Sequence, residues 1–222
     1  MSEYLKPTFY IECDHPSVIE YANDVAGSEL DDAEKAKALF YAVRDDIRYD
    51  PYSVDLRPEG MRATAALEKK IGFCIPKAIL LAAAARVFGI PSRLGFADVK
   101  NHLNTERLKQ IMQTDVFAFH GYTELHLDGK WVKVTPAFNG SLCERFNVEP
   151  LEFDGKHDAL LQQADRGGNR YMEYLTDHGQ FADMPFDFLI STWQKHYPHM
   201  MADGGYRVSG DFETDANSEN PS

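Results

Sequence analysis

The chain has 222 residues, of which 44% are apolar and 26% charged, a composition typical of a globular protein with a sizeable core. Its formal net charge of −12 disfavours nucleic-acid partners, because an acidic surface repels phosphate backbones. The longest apolar run, residues 78–85, is too short to span a bilayer, and the first residues lack the pattern of a signal peptide, so no membrane association is expected.

The first part of the chain predicts one short strand and three helices. The strand covers residues 7–13, and a helix with proline in its first turn and glycine at its end covers 16–27. Asp31 occupies the N-cap position of a second helix, whose apolar residues recur on one face. Thr64 is predicted to cap a short third helix over residues 65–70.

Residues 71–95 form the stretch around which the rest of the chain is organised. Cys74 starts a predicted helix with Pro76 in its first turn, where a missing amide hydrogen costs nothing. Residues 75–88 are apolar on nearly the whole circumference, which indicates a buried helix, and Gly89 ends it. The unpaired N–H groups at its start favour a thiolate, so we expect a lowered pKa for Cys74. The alternative is a buried, inert cysteine.

The second part of the chain predicts mainly strands. Residues 92–96 are extended, and 97–113 are predicted to form a surface helix. The alternating segments 116–127 and 130–135 form a hairpin, because the Asp-Gly pair at 128–129 is typical of a two-residue turn. The surface helix is predicted from three apolar residues at helical spacing: Leu103, Leu108 and Met112.

Further extended segments are predicted at residues 148–153 and 170–175, and Asp183 is predicted to cap a last helix. Residues 199–222 are polar and rich in glycine and acidic residues, which predicts a disordered acidic tail. A single domain is therefore expected over residues 1–198.

Helices come first, a mostly antiparallel sheet follows, and the Cys74 helix lies between them. This order predicts the α+β class, with N-terminal helices and a buried cysteine-bearing helix packed on an antiparallel sheet.

The cysteines Cys13, Cys74 and Cys143 form no C-x-x-C pair and leave one thiol over from any single disulfide. This usage predicts a reducing compartment and a cytoplasmic protein.

His120 and His126 share a strand face but lie ~20 Å apart at the rise of a strand, so they cannot share an ion. We therefore expect neither a metal ion nor a cofactor.

A thiol nucleophile needs a base within hydrogen-bond reach, and the base needs an acceptor that orients it. His120 is the best candidate base, because its strand belongs to the hairpin and the hairpin brings its two outer ends together. Thr135 lies at the other end and is the predicted orienting residue. Glu124 shares the face of His120, and a solvated or salt-bridged surface glutamate is its default interpretation.

Two motifs occur in the chain in a fixed order. The first contains Gly72, Cys74, Lys77, Ala78, Leu80, Arg86, Gly89, Ile90, Pro91 and Arg93. The second contains His120, Tyr122, Glu124, Asp128, Gly129, Trp131, Val132, Val134 and Pro136. Together with a helix at 43–49, these motifs resemble the transglutaminase-like superfamily, a branch of the papain-like cysteine enzymes, over roughly residues 31–139.

The resemblance implies a Cys-His-Asp triad in which a thiolate attacks an amide or peptide carbonyl. Cys74 and His120 match the first two members, whereas Thr135 stands where the family has aspartate before Pro136. A threonine hydroxyl accepts a hydrogen bond from an imidazole but brings no charge to stabilise an imidazolium. Asn139, four residues on, is the alternative orienting residue.

The resemblance therefore implies a cysteine hydrolase or acyltransferase that acts on a peptide, a protein or a small amide. A catalytically weakened or inactive binding module on the same scaffold is the alternative, and Thr135 favours it.

Overall fold

The computed structural model describes residues 1–27, 29–102, 104–161, 163–169, 171–201, 208 and 210–219. The helices are α1 (Pro16–Val25), α2 (Asp32–Asp46), α3 (Ala63–Lys69), α4 (Cys74–Val87), α5 (Glu106–Met112), α6 (Gly140–Arg145), α7 (Phe186–His196), α8 (Pro198–Met201) and α9 (Phe212–Glu219). The strands are β1 (Arg48–Tyr49), β2 (Ile71–Gly72), β3 (Ser92–Asn101), β4 (Val116–Leu127), β5 (Lys130–Val134) and β6 (Met172–Phe181). This arrangement confirms the predicted α+β class. None of the described helices combines the length and apolarity that crossing a bilayer requires.

The main sheet has the strand order β5-β4-β3-β6, and its neighbouring strands are antiparallel. The predicted hairpin is confirmed, since Leu127 pairs with Lys130 and both turn residues, Asp128 and Gly129, have positive φ. Two successive positive φ values give the turn that matches the twist of the flanking strands. β1 and β2 form a separate parallel pair directly before Cys74.

The predicted core helix is confirmed as α4, in which every residue from 75 to 86 is buried. Its first residue is Cys74, and Gly89 follows its end with a φ of 76°. The helix packs on α1, α2 and α3 on one side and on β3 and β4 on the other. Cys74 thus lies at the end of an element whose position the whole core fixes.

The two charged side chains of α4 are satisfied by backbone oxygens. Lys77 donates to the carbonyls of Arg44 and Ile47 at the end of α2, at 2.8 and 2.5 Å, and burial lowers the pKa of Lys77 to about 7. Arg86 donates to the carbonyls of Ser92 and Ala182 at 2.8 and 2.7 Å. Buried charges are tolerated when such partners replace water, so these contacts attach α4 to its neighbours.

Glu124 is not the surface residue that the sequence suggests. Its side chain is 1% exposed and forms an ion pair, at 2.6 Å, with Arg93, its direct cross-strand partner on β3. The Arg93 guanidinium also lies 4.2 Å from the ring centroid of Trp131. This cross-strand pair helps to set the register of β3 against β4.

Three predicted segments are wrong. Residues 7–13, all described, form no strand, because the Thr8 hydroxyl accepts from the amide of Ile11 and closes a turn. Only α5 is helical within 97–113, because β6 gives β3 a second neighbour and extends it to Asn101; Leu103 lies outside the described residues. Residues 148–153 do not form a strand. The carbonyl of Leu151 accepts a hydrogen bond from the Arg44 guanidinium at 2.7 Å instead of from a neighbouring strand.

In the described part of residues 199–222, α8 ends at Met201 and residues 212–219 form α9, and the predicted disorder of this tail stays a prediction. α9 buries Phe212 and Ala216 against the domain, and Arg48 pairs with Asp211 directly before the helix. Residues 202–207, 209 and 220–222 lie outside the described part of the chain. The predicted domain boundary at residue 198 stays a prediction.

Substitution of Lys77 tests its role in the core. In Lys77→Ala, two buried carbonyls lose their donor and a cavity forms, so we expect the free energy of unfolding to fall by about 3 kcal/mol or more. Lys77→Met fills the space and should lose about half as much. Urea denaturation followed by circular dichroism measures both. Lys37→Ala, which removes a surface lysine paired with Glu34, is the control and should leave the free energy of unfolding nearly unchanged. Equal losses at the two lysines would contradict the role.

Candidate active site

Cys74 is held at the start of α4 by the short parallel pair that precedes it. The amide of Asp50 donates to the carbonyl of Gly72 at 3.1 Å, which adds one hydrogen bond to the β1–β2 ladder two residues before Cys74. Cys74 itself is half-buried, while its neighbours in α4 are fully buried. The thiol therefore lies at the border between the core and a cavity.

Gly121 allows β4 to approach the start of α4. A Cβ atom at this position would lie 3.1 Å from Cγ1 and 3.2 Å from Cα of Ile75, the residue after Cys74. Only glycine fits this contact without displacing the helix. His120 precedes Gly121, so the same close approach brings His120 to the cavity at the start of α4.

Cys74 and His120 line one cavity of about 50 Å³, here called the Cys74 cavity. This volume holds a few water molecules or one small organic group. The rest of its wall is mainly aromatic and aliphatic and includes Phe73, Met112, Phe117, Trp193, Tyr197 and Met200. The structure thus brings together the two residues that the sequence identifies as nucleophile and base.

The segment before His120 is fixed by α7. The hydroxyl of Tyr197 accepts from the amide of Ala118 at 2.6 Å and donates to the carbonyl of Val116 at 2.8 Å. The indole of Trp193 donates to the carbonyl of Ala118 at 3.0 Å. The sequence indicates that both aromatic residues face the core, but not that they hold the strand that carries His120.

Phe119, directly before His120, has a φ of 64°, which is rare for a bulky side chain. Its amide donates to Asp98 Oδ1 at 2.9 Å, and the same oxygen lies 2.7 Å from His178 Nε2. The pairing of β3 with β4 shifts register here, between Ala97 and Val99. Asp98 and His178 are positioning residues that the sequence did not reveal, because nothing in the alternating pattern of β4 indicates a left-handed residue.

Burial shifts both candidate catalytic groups toward their neutral forms. Desolvation raises the pKa of Cys74 to about 11, although the backbone amides of Gly121 and Ile75 act in the opposite direction. Desolvation also lowers the pKa of His120 to about 4. The expectation that the helix N-terminus lowers the thiol pKa is therefore wrong in sign, since burial outweighs it. The resting pair at neutral pH is a thiol and a neutral imidazole.

Thr135 follows the last residue of β5. Thr123 pairs with Val134, so the next pair in the same register would be Tyr122 with Thr135. Tyr122 lies two residues after His120 on the same strand, so Thr135 lies on the sheet face of His120. His120 Nε2 is buried and has no hydrogen-bond partner among the described residues, and the side chain of Thr135 interacts with the Tyr174 hydroxyl. The described contacts therefore do not join Thr135 to the imidazole, and its orienting role stays a prediction.

Asn139 has other partners. Its Oδ1 accepts from the amide of Tyr49 at 3.1 Å, and its Nδ2 donates to the Ser141 hydroxyl at 2.8 Å. Both ends of the amide are therefore engaged at the start of α6, away from His120. Within the described ranges, no three His, Cys, Asp or Glu side chains come together in a way that would hold a metal ion.

Comparison with known proteins gives one family match. A family model described as the transglutaminase-like superfamily matches residues 19–136, more than half of the chain. No curated protein sequence gives a match. A solved structure from Cytophaga hutchinsonii named "Putative Cysteine Protease" is similar at 16% identity, with a TM-score of 0.46, over 80% of this chain and 53% of its own length.

A second structure, named "Putative Protease", comes from Parabacteroides distasonis. It is 16% identical, with a TM-score of 0.37, over 52% of this chain and 22% of its own length. The chain therefore spans about half of the first structure and about a fifth of the second.

The lowered pKa of His120 predicts an acid-sensitive fold. Between the ordinary pKa of about 6.5 and the folded value of about 4, the unfolded chain binds the proton and the folded chain does not. Stability should therefore fall as pH drops through this window, by up to about 3 kcal/mol. Urea denaturation from pH 7 to pH 4 should show a shallower fall in His120→Asn than in the parent. His157→Asn, at an exposed histidine, should follow the parent; three parallel curves would contradict the assignment.

Proposed function

Because the chain belongs to the transglutaminase-like superfamily, we propose that it is a cysteine-dependent hydrolase or acyltransferase that acts on amide or peptide bonds. Cys74 is the nucleophile and His120 is the general base and acid. The observation that carries this proposal is that both side chains open onto the Cys74 cavity. Thr135 follows on the same sheet face, where its hydroxyl is the candidate to orient the imidazole.

The reaction starts from the neutral pair. As Cys74 Sγ attacks the carbonyl carbon, its proton passes to the His120 imidazole and the carbonyl oxygen becomes an oxyanion. The backbone N–H of Cys74, at the start of α4, contributes to stabilising that oxyanion. The tetrahedral intermediate collapses, the amine leaves with the proton from His120, and a thioester remains on Cys74. Water or a second amine, deprotonated by His120, then releases the acyl group.

The environment of His120 makes this a slow catalyst. The transient imidazolium forms where burial disfavours charge, and Thr135 brings no carboxylate to compensate for it. The rate therefore depends on whether the substrate supplies polar contacts that the free site lacks.

The wall of the Cys74 cavity favours an apolar acyl group. The hydroxyl of Tyr197 and the indole N–H of Trp193 already bond to the backbone of β4, so they are not directed at a ligand. A charged group in the cavity would be desolvated without a partner, which costs several kcal/mol. We therefore infer that the side chain next to the scissile carbonyl is small and aliphatic.

A binding module without catalysis is the second candidate. The buried His120 Nε2, which has no partner among the described residues, favours it, because a working triad pairs its base with an acceptor. In that case the Cys74 cavity would hold an apolar group of a partner without cleaving it.

A panel of fluorogenic aminoacyl and peptidyl amides tests the activity and the cavity together. We expect turnover of alanine and valine amides at least about tenfold faster than of the aspartate amide, because the cavity of about 50 Å³ holds a small group and burying an unpaired charge raises the barrier. Cys74→Ser and His120→Ala should abolish turnover and leave the melting temperature nearly unchanged. Cys13→Ser, at a buried thiol outside the cavity, is the matched control and should retain activity. Absence of turnover in the parent would favour the binding module.

Substitution of Thr135 tests the missing carboxylate. Thr135→Asp places a negative charge beside the imidazole, so it should raise the pKa of His120 and increase turnover by about tenfold or more. Thr135→Val removes the hydroxyl at similar volume and should lower turnover. Initial rates and the pH profile measure both variants. If Thr135→Asp changes neither the rate nor the pH profile, position 135 does not act on His120.

A further inference from the structure

The last described helix lies on a basic groove next to the Cys74 cavity. Three arginines from separate elements pair with the acidic residues of this segment. The pairs are Arg48 with Asp211, Arg145 with Glu213 at 3.0 Å, and Arg107 with Asp215 at 3.3 Å. Such charge complementarity over a short helix is typical of a docked segment.

Phe212 anchors the segment in an aromatic pocket. It is 4% exposed, and its ring centroid lies 6.0, 5.7 and 6.0 Å from those of Tyr49, Tyr52 and Phe146. The Tyr52 hydroxyl also donates to Asp215 at 2.8 Å. An aromatic side chain flanked by carboxylates is therefore what this groove binds.

The groove and the Cys74 cavity share a wall. Tyr49, Leu108 and Phe117 line both the Cys74 cavity and a space of about 10 Å³ beside Phe212. Cys143 also lines that small space. A single layer of side chains thus separates the Phe212 pocket from the candidate nucleophile.

α9 is anchored by few apolar side chains. It has eight residues and buries two of them, Phe212 and Ala216, while its remaining contacts are mainly ion pairs and hydrogen bonds near the surface. Contacts of this kind open locally at low cost and weaken with salt. The segment also lies outside residues 19–136, which match the family model.

We propose that the groove formed by Arg48, Arg107 and Arg145 with Tyr52 and Phe146 is a binding site for an acidic segment that carries an aromatic residue. Residues 211–219 occupy it in cis and support the layer of side chains that closes the Cys74 cavity from that side. Their release opens the cavity toward the groove and leaves the groove free for a partner segment of the same chemistry. This goes beyond the proposed catalysis and does not require turnover.

Timed alkylation by iodoacetamide at pH 8.5, read by mass spectrometry, tests the proposal in the full-length chain. The three thiols serve as reporters: Cys143 for the Phe212 pocket, Cys74 for the cavity and Cys13 for the distant core. The triple variant Asp211→Asn, Glu213→Gln and Asp215→Asn removes the charge pairs, and Phe212→Ala removes the anchor separately.

We expect Cys143 and Cys74 to react about tenfold faster in both variants, with Cys13 and the melting temperature unchanged. The double variant Glu34→Gln and Asp154→Asn neutralises two exposed acidic residues elsewhere and should behave as the parent. Unchanged rates overturn the proposal. Faster alkylation of Cys143 alone would overturn the claim that α9 helps to close the Cys74 cavity. Faster alkylation of all three thiols would show that α9 is part of the core and would overturn the proposal.

A peptide with the sequence of residues 210–219 tests the groove as a binding site. Added to the Phe212→Ala chain, it should slow Cys143 alkylation toward the parent rate, whereas the same peptide with alanine in place of phenylalanine should not. No effect of either peptide, or equal effects of both, overturns the binding site. Because each readout is thiol accessibility, an accessible Cys74 without turnover would reject the proposed catalysis and leave the groove intact.

Discussion

α4 is enclosed on all sides, and the requirements of a buried helix shape the rest of the structure. A buried helix cannot leave charges or backbone groups without partners. Lys77 and Arg86 meet this requirement by donating to the carbonyls of surrounding elements, so the same contacts that satisfy the charges also fix those elements around the helix. The position of Cys74 follows, because it is the residue where this helix reaches a cavity.

The same burial determines the chemistry of the candidate pair. The start of a helix favours a thiolate, but the enclosed position of Cys74 favours the thiol by a larger amount, and His120 is kept neutral for the same reason. In the proposed reaction, proton transfer would therefore accompany attack instead of preceding it. A carboxylate at position 135 would stabilise the charged imidazole. Threonine brings no charge, so burial alone determines that His120 is neutral.

The backbone around Cys74 and His120 is held in place by residues that surround the candidate pair. Gly121 lets β4 approach the start of α4, while Asp98 and the aromatic residues of α7 hold the irregular backbone just before His120. A residue with positive φ costs free energy and persists only where the surroundings determine it. Its place next to the candidate base indicates that the strand is bent to aim the imidazole. Tyr49 links this layer to the groove under α9, since its ring borders both spaces.

The sequence by itself determined the class of the fold, the helix that starts at Cys74, the hairpin that carries His120 and the family. These features depend on local patterns: apolar periodicity, a glycine after the helix and an Asp-Gly turn between alternating strands. Other features depend on contacts between residues far apart in the chain. β3 is extended by β6, Glu124 is buried by Arg93, and α9 is ordered by arginines from three other elements. The sign of the Cys74 pKa shift belongs to the same group, because desolvation is a property of the assembled core and is not encoded in the residues next to Cys74.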